Sequence, residues 1–178
     1  IIQKLAEKKN NKGARRIKSL IVTPTRELAI QIAENIADYS KYTHLEHTVI
    51  YGGVKQGMQV DRLKRGIDIL VATPGRLLDL MDQGYIRLDD IEIFVLDEAD
   101  RMLDMGFIND IKKLLRYLPK DRQSLFFSAT MPKSIVELSQ QILRSPVKIE
   151  VNPSSSAADT VSQTVFFTNK GSKKSLLK

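Results

Sequence analysis

Residues 91–100 read Ile91-Glu92-Ile93-Phe94-Val95-Leu96-Asp97-Glu98-Ala99-Asp100. The first six are mostly apolar and partly β-branched, which suits a strand buried on both faces of a parallel sheet. Three carboxylates in four positions then end the run. An unpaired carboxylate cannot continue a buried strand, because desolvation costs several kcal/mol per charge. The chain must therefore emerge into a polar crevice at Asp97. In open α/β sheets such crevices lie off the carboxyl ends of the strands. An Asp placed there can hold Mg²⁺, directly or through water, and a neighbouring Glu can orient or deprotonate an attacking water. Alone, the same stretch also reads as a strand ending in a solvated acidic turn.

Working outward, the pattern of a short apolar run, a small-residue or Thr-Pro break and a helical stretch recurs along the chain. Strands are expected at 19–22, 48–51, 67–72, 91–96, 125–127 and 147–151. Helical stretches are expected up to Lys9, behind Arg26, to about Lys64, to about Gln83, over 108–118 and from Pro132 to about Leu143. Strands alternating with helices predict a parallel sheet with right-handed crossovers. Residues 10–13 form a polar break. Residues 152–160 (NPSSSAADT) read as a Ser-rich linker, and 161–168 as a strand of something that follows.

Composition narrows the class. The chain has 178 residues, enough for one domain with a real core. Its 42% hydrophobic and 28% charged content is that of a globular protein. With no cysteine, disulfides and thiolate metal sites are excluded. No apolar run nears the roughly 18 residues of a membrane span, and no signal pattern opens the chain, so a cytoplasmic location is the expectation. The net charge of +7 sits in the tails: 1–18 carry +6, 170–178 carry +4 and 19–169 sum to −3. Nucleic-acid binding must therefore be argued from local sites rather than overall charge.

Two breaks are built alike, Thr23-Pro24-Thr25-Arg26 and Thr73-Pro74-Gly75-Arg76. Thr suits a helix cap and Pro the first helical position. Arg in a first turn is disfavoured by roughly 0.3–1 kcal/mol unless something anionic compensates. Helix N-termini present free N–H groups to phosphate, so the pair reads as two anchors on one phosphate backbone. Two ordinary capped helices whose Arg side chains pair with nearby acids fit equally. Gly52-Gly53 permits close approach of a ligand backbone, or is simply a tight turn. Ser128 and Thr130 are placed to bond Asp100 if their strands neighbour, or to cap the helix at Pro132. His44 and His47 are surface residues with no assigned metal. A phosphate cradle G-x-x-x-x-G-K-[ST] is absent: Gly52 and Gly57 have the spacing, but Met58-Gln59 follows.

Taken together, Pro24-Thr25-Arg26-Glu27-Leu28-Ala29, Gly52-Gly53, Thr73-Pro74-Gly75-Arg76, Asp97-Glu98-Ala99-Asp100 and Ser128-Ala129-Thr130 resemble, in order, the motifs of DEAD-box ATP-dependent RNA helicases, the bacterial RhlE-like members among them. The resemblance covers nearly the whole chain and implies an α/β fold: a RecA-like parallel sheet flanked by helices, part of the first helicase domain over 1–151. A linker over 152–161 and the start of a following segment or second domain over 162–178 come after it. It implies that Asp97 and Glu98 are catalytic and that Asp97 binds Mg²⁺. Asp97, Glu98, Asp100, Ser128 and Thr130 would serve the ATP site, the last three coupling it to RNA grip. Thr25, Arg26, Gly52, Gly53, Thr73, Gly75 and Arg76 would contact RNA through its sugar-phosphate backbone. Ribosome-assembly or RNA-decay proteins are the partners it allows.

The family's adenine-reading Gln motif and phosphate-binding loop have no match after Ile1. The expectation is thus of a fragment that shows no RNA-stimulated hydrolysis by itself, and of a sheet with a gap, a rearranged strand order or a partner strand filling the space. Two other readings stay open: a non-catalytic RNA- or protein-binding module on a helicase-like scaffold, and a different Mg²⁺-dependent NTPase or DNA translocase.

Overall fold

The computed structural model describes residues 1–7, 15–151 and 164–176. It divides into two compact units, Ile1–Ser145 and Pro146–Lys178.

In the first unit five four-residue strands, β1 (Ser19–Val22), β2 (His47–Ile50), β3 (Ile69–Ala72), β4 (Ile93–Leu96) and β5 (Gln123–Phe126), form one sheet. Its order is β2-β3-β1-β4-β5, and every pairing is parallel. The three inner strands are buried at every position. That is why they read as unbroken apolar runs rather than alternations: helices cover both faces. The faces still separate by parity. Leu20, Val22, Leu70, Ala72, Phe94 and Leu96 join the core on one side. Ile21, Ile69, Val71, Ile93 and Val95 join the core on the other.

The first face is covered by α4 (Pro74–Asp82), α6 (Ile108–Leu115) and α7 (Lys133–Ile142), through Leu77, Leu80, Ile111, Leu114, Ile135 and Leu138. The second is covered by α2 (Arg26–Ser40) through Ala29, Ala33 and Ile36, and by α1 (Ile2–Ala6) through Leu5. Two further helices, α3 (Gly57–Lys64) and α5 (Ala99–Asp104), complete the unit. α5 lies outside the expected helices.

The register decides what the fold can display. Val22 pairs with both Ala72 and Leu96, Ile50 with Ala72, and Leu96 with Phe126. All five strands therefore end at one level. The next residues are tied across the sheet by their amides, Thr23 to Ala72 O (3.1 Å), Thr73 to Ile50 O (3.1 Å), Asp97 to Val22 O (3.0 Å) and Phe127 to Leu96 O (2.9 Å). A flush rim results, and every motif quoted above follows one of its strands.

Three expectations are corrected. The sheet has no internal gap: its five strands pair without interruption. The under-packed place is the outer edge at β5, whose residues are exposed or only half-buried. The strand expected at 147–151 does not form. Val147, Ile149 and Val151 alternate as strand residues do, yet each is 87% exposed. Extended propensity without a neighbouring strand leaves backbone groups unpaired. Of 161–168, residues 164–168 are described and form no strand, with Val165, Phe166 and Phe167 exposed. A one-turn helix, α8 (Lys173–Leu176), follows in this second unit. The break at 10–13 and the linker at 152–160 lie outside the described residues. Among the described residues no helix is long and apolar enough to cross a membrane.

One titratable group couples the sheet to pH. His47, expected at the surface, lies half-buried on edge strand β2, and burial holds its pKa below its usual value; Glu46 opposes this and Arg62 reinforces it. The unfolded chain then binds the proton more readily, so stability rises with pH through this window. It is present above about pH 6.5, the unfolded value, and is lost as pH falls towards the folded one. Chemical denaturation at about pH 7.5 and about pH 5.5 should show a smaller loss on acidification in His47→Leu than in the parent. Equal losses would remove His47 from the account.

Candidate functional site

Off the ends of β4 and β5 lies a hollow of about 420 Å³ lined by Asp97, Glu98, Asp100, Arg101, Asp104, Phe127, Ser128 and Ala129. β4 delivers Asp97 there because Leu96 is its last fully buried residue. The Asp97 carboxylate accepts the Glu98 amide at 2.9 Å. Burial raises the Asp97 pKa; the Glu98 amide opposes that and the Glu98 charge adds to it. Glu98 caps α5 in a left-handed conformation, φ 50° and ψ 52°, a region few non-glycine residues enter. Its carboxylate pairs with Arg101 at 3.2 Å, one helical turn on.

Asp100 ties α5 to the segment after β5. Its carboxylate accepts the Thr130 amide at 2.8 Å and the Thr130 hydroxyl at 2.9 Å. Its amide donates to Ser128 Oγ at 3.1 Å, and that hydroxyl donates to Thr130 O at 2.7 Å. Burial alone would raise the Asp100 pKa. The Thr130 hydroxyl and amide, with the Arg101 amide, outweigh it and hold the group below its usual value. Ser128 and Thr130 thus do meet Asp100, Thr130 on the carboxylate and Ser128 on the amide.

A second hollow of about 680 Å³ opens on the same rim, off β1, β2 and β3. It is lined by all seven residues expected at a phosphate backbone, Thr25, Arg26, Gly52, Gly53, Thr73, Gly75 and Arg76, together with Pro24, Glu27, Asp79, Met105 and Phe107. The two similar breaks act differently. In the first the helix cap is Thr25, not Thr23, and its hydroxyl accepts the Leu28 amide at 3.3 Å. In the second Thr73 precedes α4, makes no side-chain cap and is buried, with Pro74 opening the helix.

The arginines divide likewise. The Arg76 side chain is only 12% exposed. It pairs with Asp79 at 3.4 Å and donates to Val54 O at 3.1 Å. It braces the loop after β2 against α4, as the paired-arginine alternative expected, and the acid three residues on was the signal. Arg26 is exposed and, among the described residues, makes neither ion pair nor hydrogen bond. It lies along Gly53: a Cβ there, at φ +80°, would come within 3.0 Å of Arg26 Nη1. A Cβ at Gly52 or Gly75 would meet nothing. The bare backbone at those two positions faces open space, as a contact surface for a foreign chain requires.

Residue types alone did not place Arg101, Asp104 and Phe127 in the acidic hollow, or Met105 and Phe107 in the second. The first three sit within a turn of motif residues, but Met105 and Phe107 come to their hollow only through the length of α5.

The family model for the DEAD/DEAH box helicase matches residues 1–138. The chain is 46% identical over 152 residues to the ATP-dependent RNA helicase RhlB of Pseudomonas aeruginosa, covering 84% of this chain and 38% of that one. It is 44% identical over 155 residues to the RNA helicase CrhR of Synechocystis sp., covering 87% and 32%. To the DEAD-box ATP-dependent RNA helicase 30 of Oryza sativa subsp. japonica it is 42% identical over 147 residues, covering 82% and 22%. The chain thus spans about a third of the length of the bacterial relatives it matches.

Proposed function

We propose that this chain, which belongs to the DEAD/DEAH box helicase family, is the part of an ATP-dependent RNA helicase that carries the hydrolytic carboxylates and one RNA-backbone surface. The observation that carries this is the common rim. One register places Asp97 and Glu98 on the edge that also bears Arg26 and the open glycines.

The residues divide the work by chemistry. Glu98, at the lip of the acidic hollow, orients the attacking water and takes its proton. Asp97 is the ligand for Mg²⁺. The fit rests on donor type: Mg²⁺ uses one or two carboxylates plus phosphate and water oxygens rather than an all-protein cage. A Mg²⁺ held there would neutralise phosphate charge as the bond to the leaving group breaks. Asp100 holds the segment after β5 against α5 through Thr130 and Ser128, which ties that segment to the hydrolytic edge. In the second hollow Arg26, lying along Gly53, supplies charge, and Gly52 and Gly75 supply close approach. None of these reads a base edge, so binding is independent of sequence.

RNA affinity of the full-length protein tests the assignment. Arg26→Ala should weaken binding to uridine and adenosine oligonucleotides alike and lower the slope of log affinity against log salt by about 0.7, the value for one phosphate contact on a single strand. Arg26 is exposed, so the fold should be unaffected. An unchanged slope, or a loss confined to one sequence, would count against a backbone contact.

A further inference from the structure

Six-residue α5 runs between the two hollows. Its cap Glu98 lines the acidic one, and Met105, the residue after its last turn, lines the other. Asp104, beside Met105, also lines the acidic hollow, so the two hollows adjoin at the end of α5, and about 9 Å of helix separates that end from Glu98. We propose that Met105 is a positioning residue through which RNA held in the second hollow sets the orientation of Glu98. The inference rests on the helicase reading and adds to it a contact and a route.

The contact is argued from what the second hollow lacks. Its anchors, Arg26 and the glycine backbones, suit phosphates. The ribose and base faces of a strand call instead for an apolar surface. Met105 supplies an apolar surface there and is 47% exposed, whereas Phe107 is half-buried against the core. An unbranched thioether adapts to whichever ribose or base lies against it, as sequence-independent binding requires.

The route is argued from the hydrogen bonds of α5. Met105 N donates to Arg101 O at 3.0 Å, and the Arg101 side chain pairs with Glu98. Phe107 N donates to Met102 O at 2.9 Å, and Met102 N donates to Glu98 O at 3.0 Å. Ala99 and Met102 are fully buried beneath the helix, so a push at Met105 turns α5 as a unit rather than bending it. Glu98 at the far end sits in a left-handed conformation, its amide donating to the Asp97 carboxylate and its carbonyl accepting the Met102 amide. A residue in that region persists only while its surroundings enforce it. A small rotation of α5 therefore re-aims the Glu98 carboxylate.

Steady-state hydrolysis by the full-length protein, with ATP, Mg²⁺ and increasing uridine oligonucleotide, separates the possibilities. For Met105→Ala the maximal RNA-stimulated kcat should fall about tenfold, while the RNA concentration giving half stimulation rises less than about threefold. Met105→Leu, which keeps the apolar bulk, should restore the rate. A rise in half-saturating RNA alone, no change in either quantity, or an equal defect in Met105→Leu would overturn the proposal. A parent protein that RNA does not stimulate would sink the helicase reading itself, before any variant is made.

Discussion

Glu98→Gln is expected to lower RNA-stimulated ATP turnover of the full-length protein by about 10²–10⁴-fold, the range for loss of a general base. The substitution keeps size and shape, so the left-handed turn at the head of α5 has no new steric reason to change. It removes the charge that pairs with Arg101. Both partners are well exposed, at 38% and 56%, and such pairs contribute about 0–1 kcal/mol to stability. Folding should therefore survive, and RNA binding with it, because the anchors lie in the other hollow. Asp104 gives the internal contrast. It lines the same hollow but sits at the far end of α5, so Asp104→Asn should stay within a few-fold of the parent. Steady-state rates with saturating RNA, alongside thermal melts, decide the matter. If Glu98→Gln keeps turnover within tenfold of the parent, or Asp104→Asn is equally damaged, the water-orienting role belongs elsewhere.

What could be read from the chain follows from the range of each interaction. The β4 run was legible because apolar residues ending in carboxylates admit few solutions: Ile91 is buried, and the strand proper begins at Ile93. The gathering of Thr25, Gly52 and Gly75 followed from topology, since parallel strands of equal length bring their following loops to one edge. The fate of an individual charge did not follow. Arg26 and Arg76 hold like positions in their breaks and differ in sequence only by the acid at Asp79, and it takes the fold to bring the Val54 carbonyl onto Arg76 and leave Arg26 a free cation. α5 escaped notice because six residues with Ala99, Met102 and Leu103 as their apolar side are too short for periodicity to register. At 147–151 the strand expectation failed because a strand exists only with a hydrogen-bonded neighbour, and no window of five residues contains that information.

The largest stability effect is expected at Phe94. It is fully buried in β4, among Leu20, Leu70 and Leu96 and the helices of that face. Its ring also lies 5.8 Å from the guanidinium of Arg122, whose charge burial disfavours. Phe94→Ala should cost about 3–5 kcal/mol through lost transfer energy and the cavity left behind. Against a typical total of about 5–15 kcal/mol, that is a large share. For a unit of this size it corresponds to a fall in Tm of about 6–20 °C. The consequence for function is direct, because β4 places Asp97 only while it holds register with β1 and β5. At temperatures where the variant remains folded, the parent's RNA affinity should be preserved, since the anchors follow β1, β2 and β3. The hydrolytic rate should fall more steeply with temperature than the parent's. Calorimetry and rate measurements across that interval test both halves. A Tm within 3 °C of the parent would mean that neighbouring side chains close the cavity, and that β4 does not depend on this ring to hold its carboxylates at the rim.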